Sequence, residues 1–226
     1  MTNIKIKQLT YCYFGFDFDG VILDTHEVKE RSLIHAYSDT ATDVEDIIKD
    51  YQRANRGLPR VEKFVYLDQL FFGTTPNKNR KQYLSRKMTN YIMAHIQECE
   101  FIRGIRFFLD TVKKQNLPMV IASAMPEAEL HHILDKINLT TMFVLATGAP
   151  TTKEVQLMRA NEQYGKGPGT GLFFGDTLND YRAATASGLD FVGIGDTSLF
   201  NEKGLPSELD FLDLTRRLNS VYGCGG

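Results

Sequence analysis

The apolar positions of this chain fall into two regimes. Short continuous apolar runs occur at about Leu9 to Phe16, at Leu117-Pro118-Met119-Val120-Ile121-Ala122, at Met142-Phe143-Val144-Leu145-Ala146, at Gly171-Leu172-Phe173-Phe174 and at Phe191-Val192-Gly193-Ile194. Runs of this length, bounded by turn residues, read as buried strands. Between them the pattern is helical: Ile105 to Gln115, Glu127 to Ile137 behind Pro126, Lys153 to Tyr164, and Asp180 to Ser187, which Gly188 stops. Strands alternating with helices predict a parallel sheet covered on both faces.

From Thr25 to about Glu100 the second regime holds. Apolar residues recur at helical spacing, as in Val28, Ser32, His35, Ala36 and then Val44, Ile47, Ile48, Tyr51. Asn55-Arg56-Gly57-Leu58-Pro59 interrupts the pattern and Val61 to Phe72 resumes it. Gly73-Thr74-Thr75-Pro76-Asn77 is a turn signal, and Tyr83 to Ile96 reads as a further helix. No run in this tract reads as a strand. Asp17 and Ser123 thus stand far further apart than the ~30 residues of a minimal strand–helix–strand unit. The expected organisation is a core of residues 1–24 and 101–221, an all-helical insertion at 25–100, and a flexible tail at 222–226.

Composition narrows the class without choosing a function. At 42% hydrophobic and 24% charged, the 226 residues are those of an ordinary globular protein with enough chain for a sizeable core. Net charge −2 and pI ≈ 6.2 offer no broad basic field for nucleic acid or an anionic membrane. Cys12, Cys99 and Cys224 are scattered and odd in number, so they give neither a disulfide framework nor a CxxC metal pair. Met1 to Thr10 alternates Lys with Ile and lacks the apolar centre of a secretion signal, and no run approaches the ~20 apolar residues of a membrane span. The expectation is a cytoplasmic protein with no nucleic-acid or membrane partner; oligomeric state is left open.

The chemistry sits where the strands end. The first strand runs into Asp17-Phe18-Asp19-Gly20, two carboxylates one residue apart. Side-chain direction repeats every second residue of a strand, so both point one way. Two such charges repel by roughly 4 kcal/mol at 4 Å and an effective dielectric near 20, which calls for a cation, a shared proton or water. The second strand ends at Ser123, the loop after the third leads to Lys153, and the fourth ends in Gly175-Asp176-Thr177-Leu178-Asn179-Asp180. Each has an ordinary use: an Asp-Gly turn, a helix-capping serine, a surface lysine, acids at a helix start. In an open parallel sheet, however, ligands bind outside the carboxyl ends of the strands, and these residues converge there together.

In this order the motifs resemble those of the haloacid-dehalogenase-like hydrolase superfamily: Asp17-Phe18-Asp19-Gly20-Val21-Ile22, then Val120-Ile121-Ala122-Ser123, then Lys153, then Gly175-Asp176-Thr177-Leu178-Asn179-Asp180. The helical insertion behind the first motif resembles the α-helical cap of the phosphoglycolate phosphatase and β-phosphoglucomutase branch. Gly57-Leu58-Pro59-Arg60 resembles that branch's Gly-x-x-Arg substrate loop, with Pro59 departing from the usual Ser. The resemblance implies an α/β, Rossmann-like core with an inserted cap that closes over the substrate, and a phosphatase acting on a small phosphorylated metabolite such as a sugar phosphate. It implies Asp17 as the nucleophile that forms an aspartyl-phosphate and Asp19 as general acid–base. It implies Mg²⁺ held by Asp17, Asp19 through its main-chain carbonyl, and Asp176, with Asp180 completing the shell. Ser123 and Lys153 would bind the phosphoryl oxygens, and Arg60 would contact the substrate from the cap, with Lys29 and Lys63 as lesser candidates.

Two other readings stay open: a phosphomutase using the same residues, and a catalytically silent binding protein on the same fold. The glycine-rich Gly165-Lys166-Gly167-Pro168-Gly169-Thr170-Gly171 lacks the closing Gly-Lys-Ser/Thr of a phosphate loop and precedes a strand, so it reads as a plain loop. His131 and His132 have no third ligand in view, so a zinc site is not expected.

Overall fold

The computed structural model describes residues 11–40, 44–212 and 214–215. Cys224, the tail at 222–226 and the expected start of the first strand at Leu9 lie outside them. The chain splits into two compact units, one of Met1–Asp24 with Phe101–Gly226 and one of Thr25–Glu100.

The first unit is built on a sheet of parallel strands: β1 (Tyr13–Phe16), β2 (Met119–Pro126), β3 (Leu145–Ala149), β4 (Gly171–Gly175), β5 (Asp190–Ile194) and β6 (Ser207–Glu208), in the order β3-β2-β1-β4-β5-β6. This is the α/β, Rossmann-like core. The first strand in the sequence is central, and its residues suit burial on both faces. Phe14 and Phe16 point to one side, where Phe16 stacks on Phe174 at 5.2 Å and both rings adjoin Phe108 and Phe211. Tyr13 points to the other, into a cluster with Val120, Leu157, Phe173, Ala183 and Phe191. Gly15 faces that side too, and a Cβ on it would lie 2.8 Å from the Phe173 ring. Its bareness is what admits Phe173.

Among the described residues of this unit, helices α5 (Ile105–Lys114), α6 (Glu127–Lys136), α7 (Lys153–Tyr164), α8 (Leu178–Ala186) and the short α9 (Thr197–Asn201) connect or follow the strands. The second unit holds α1 (His26–Ala36), α2 (Glu45–Ala54), α3 (Arg60–Phe72) and α4 (Lys78–His95) around Leu33, Tyr37, Ile48, Phe64, Leu67, Leu84 and Met88. Buried Asp68 accepts hydrogen bonds from Tyr37 Oη (2.8 Å) and Arg80 Nε (2.5 Å), which ties α1, α3 and α4 together. The first unit also carries both junctions of the insertion: Leu23 bridges Phe101, and Ile102 N donates to Ile22 O at 3.0 Å.

Several elements differ from the sequence expectation. The second strand runs on past Ser123 to Pro126, with a register shift between Ala122 and Pro126. The third starts three residues later than its apolar run suggests, because Thr140–Met142 winds into a 3₁₀ turn and the ladder pairs Val120 with Leu145. Val144 is left exposed in the lead-in. β5 is not the last strand: β6 adds a polar two-residue edge with no apolar run to announce it. α4 begins at Lys78, well ahead of Tyr83, because the Asn77 side chain accepts from Arg80 N and caps it.

Candidate active site

β1 ends at Phe16, and the chain then closes on itself. Asp17 N still reaches Phe174 O of β4 at 2.8 Å, but Ile22 N and Leu23 N both return to Phe18 O, and Gly20 turns at φ 72°. Asp19 therefore lies in a loop rather than on a strand, so strand alternation does not govern its direction. It is near the others nonetheless: its charge helps to raise the carboxyls of both Asp17 and Asp176.

Asp17 is buried, with 6% of its surface exposed. Its Oδ1 accepts from Phe18 N at 2.7 Å and lies 3.0 Å from the Lys153 Nζ. Burial pushes the carboxyl up to about 7; Lys153 opposes this, while Asp180 and Asp19 reinforce it. Loss of surrounding water, with Asp180 and Asp17 beside it, holds the Asp176 carboxyl well above its usual range.

Lys153 opens α7, where a cation meets the unfavourable end of the helix dipole. Its carboxylate partners answer that cost, since Nζ forms ion pairs with both Asp17 and Asp180. Burial works to lower the Lys153 ammonium, but Asp17 and Asp180 outweigh it and keep the charge on.

Asp180 is fixed from the other side. It sits at the third position of α8 and forms a capping box with Thr177. Thr177 N and Oγ1 donate to Asp180 Oδ2 at 3.0 and 2.6 Å, and Asp180 N donates back to Thr177 Oγ1. Asp180 is thus both a helix cap and the second carboxylate on Lys153. Gly175 permits this: a Cβ there would come within 2.2 Å of the Asp180 Cβ. Thr177 was not among the residues expected at the site, although Thr-x-x-Asp at a helix start is a readable capping signal.

Carboxylate oxygens of Asp17, Asp176 and Asp180 lie within 4.8 Å of one another, a group that could hold a divalent metal ion. The Asp19 carboxylate is not part of that group. Ser123 is wholly buried on β2; its Oγ accepts from Met125 N at 3.1 Å, and its backbone is held by the side-chain amide of Gln156 on α7. Gln156, three residues after Lys153, is a second residue that composition and motif did not single out. Arg60 lies in the other unit, at the start of α3, where its Nη1 donates to Thr89 Oγ1 (2.9 Å) and Ser85 O (3.3 Å) and so ties α3 to α4. Lys63 is buried there as well, its Nζ donating to Gln52 Oε1 at 2.7 Å and Arg56 O at 3.3 Å.

Residues 15–194 match the family model described as haloacid dehalogenase-like hydrolase. The chain belongs to that family. A curated relative, a phosphoglycolate phosphatase of Pseudomonas putida, is 24% identical over 195 residues, covering 79% of this chain and 67% of its own. Among solved structures, a predicted phosphoglycolate phosphatase of Haemophilus somnus matches with TM-score 0.75 at 17% identity, over 94% of this chain and 99% of the other. The β-phosphoglucomutase of Clostridium difficile matches with TM-score 0.75 at 20% identity, over 94% and 97%. At such identities the structural matches establish the fold. The matched residues include Asp17, Asp19, Ser123, Lys153, Asp176 and Asp180.

Proposed function

We propose that this hydrolase is a Mg²⁺-dependent phosphatase that removes the phosphoryl group from a small phosphorylated metabolite through an aspartyl-phosphate on Asp17. The observation that carries the reading is the buried pairing of Asp17 with Lys153 at 3.0 Å, inside a group of three carboxylates gathered within 4.8 Å. So much negative charge held by one ammonium fits a hard cation with oxygen ligands, and Asp17 and Asp176 are the residues that would hold it, with the Asp19 carbonyl. When bound, Mg²⁺ would supply charge neutralisation for the phosphate and for the carboxylates.

The protein's own groups then divide the work. Both contacts to Asp17 fall on Oδ1, so Oδ2 is the oxygen available to attack phosphorus. As the Asp17–phosphorus bond forms, the ester oxygen leaves and takes a proton from Asp19. In the second step water attacks phosphorus, Asp19 takes the water's proton back, and the Asp17–phosphorus bond breaks to give inorganic phosphate. Lys153 and Ser123 hold the transferring oxygens, and Lys153 opposes the rise that burial imposes on the Asp17 carboxyl. Cysteine usage that is scattered and odd in number, at Cys12, Cys99 and Cys224, fits a reducing, cytoplasmic setting.

A phosphate-release screen over sugar phosphates, phosphoglycolate and p-nitrophenyl phosphate tests this reading, run first with Mg²⁺ and then with EDTA. Release that EDTA abolishes is expected. Failure to turn over any phosphoester would sink it, and isomerised sugar phosphate without free phosphate would replace it with a mutase.

A further inference from the structure

Ser123 lies at a break in the sheet. β1 pairs with β2 at Met119, Val120 and Ile121 and then ends, while β3 pairs through Ala122 and resumes only at Pro126. The Ser123 N–H and C=O thus fall in the gap between ladder rungs, buried and away from water, where an unpaired backbone group is costly. Gln156 fills both vacancies. Its Oε1 accepts from Ser123 N at 2.9 Å, and its Nε2 donates to Ser123 O at 3.0 Å.

The same amide reaches further. Nε2 also donates to Thr151 O at 2.7 Å in the loop leading to α7, and Oε1 lies 3.2 Å from Thr147 Oγ1 of β3. Gln156 is 1% exposed, so these bonds are not shared with bulk water. A primary amide is the side-chain group that offers two donors and an acceptor in one plane. A carboxylate in its place would present acceptors to two carbonyls, and an apolar side chain would leave the Ser123 backbone orphaned. Gln156 lies one helical turn from Lys153, on the same side of α7.

We propose that Gln156 is a positioning residue that locks Ser123 to the start of α7, and so fixes the spacing between the Ser123 hydroxyl and the Lys153 ammonium that receive the phosphoryl oxygens. This deepens the phosphatase reading and rests on it. Gln156 touches neither the reacting carboxylate nor the leaving group; it acts through Ser123.

The experiment is a double-mutant cycle on p-nitrophenyl phosphate hydrolysis using Gln156→Met, Ser123→Ala and the pair, with Gln156→Glu as the second single variant. Wild-type turnover comes first, and its absence would remove the phosphatase reading and this role together. With an active parent, each Gln156 variant should lose at least about tenfold in kcat/KM. The pair should be no worse than the poorer single variant, because a Ser123 that is out of place has nothing left to lose. Losses that multiply across the pair, or a Gln156→Met enzyme within about twofold of the parent, would overturn the proposal. Hydrogen exchange on the wild-type protein needs no variant to fold: the Ser123 amide should be protected as well as the β2 ladder amides, and loop-like exchange there would also overturn it.

Discussion

Asp17 was legible as a candidate from its place after an aromatic strand, but its environment was not. A buried carboxyl raised from 3.8 to about 7 holds its proton more tightly in the folded chain than in the unfolded one. The stability this contributes is fully present below about pH 4 and is lost as the pH rises to about 7. In metal-free protein, Asp17→Asn keeps the Oδ1 acceptor and removes the buried charge. Its melting temperature should therefore exceed the parent's by more at about pH 8 than at about pH 5, while turnover is lost. Thermal unfolding in EDTA checks the first half, and a gain independent of pH would contradict it. Gly175 makes a second residue-scale case. A methyl group there meets Asp180 at 2.2 Å, so Gly175→Ala should cost about 1–3 kcal/mol and push Asp180 off Lys153. Parallel measurement of melting temperature and turnover should show both falling; a variant like the parent in both would mean that Asp180 can move without consequence.

At the scale of elements, the strands that bury both faces announced themselves and the others did not. β1 and β4 are continuous apolar runs because helices cover the sheet on either side of them. β3 was misplaced by three residues because its later half, Thr147-Gly148-Ala149, is barely apolar and its register is set by pairing with β2. The edge strand β6 carries no hydrophobic signal at all. α8 shows local chemistry that a periodicity search overlooks: its start is fixed two residues ahead of Asp180 by the Thr177 cap. Thr177→Ala removes the hydroxyl that accepts from Asp180 N and donates to Asp180 Oδ2. A loss of about 1 kcal/mol, or roughly 2–4 °C in melting temperature, is expected, with Thr177→Ser restoring most of it. Equal melting temperatures for all three proteins would show that the cap adds nothing to the fold.

Over the whole molecule, the α/β class was readable from the alternation of strands and helices, and the candidate site was readable as a place, the carboxyl edge of a parallel sheet, which sequence order alone identifies. The links among those residues were not readable. Asp180 on Lys153, Gln156 on Ser123 and Gly175 beneath Asp180 all depend on contacts between segments distant in sequence or on backbone approach that no local pattern records. The central claim is that Asp17 carries the phosphoryl group and Asp19 directs the water that removes it. Asp19→Asn with p-nitrophenyl phosphate separates the two steps, since p-nitrophenolate leaves without needing a proton. The account predicts a burst of p-nitrophenolate stoichiometric with enzyme, and acid-quenched protein with one phosphoryl group mapped to Asp17. Steady turnover with no burst and no covalent phosphate, or a phosphoryl group on another residue, would contradict it.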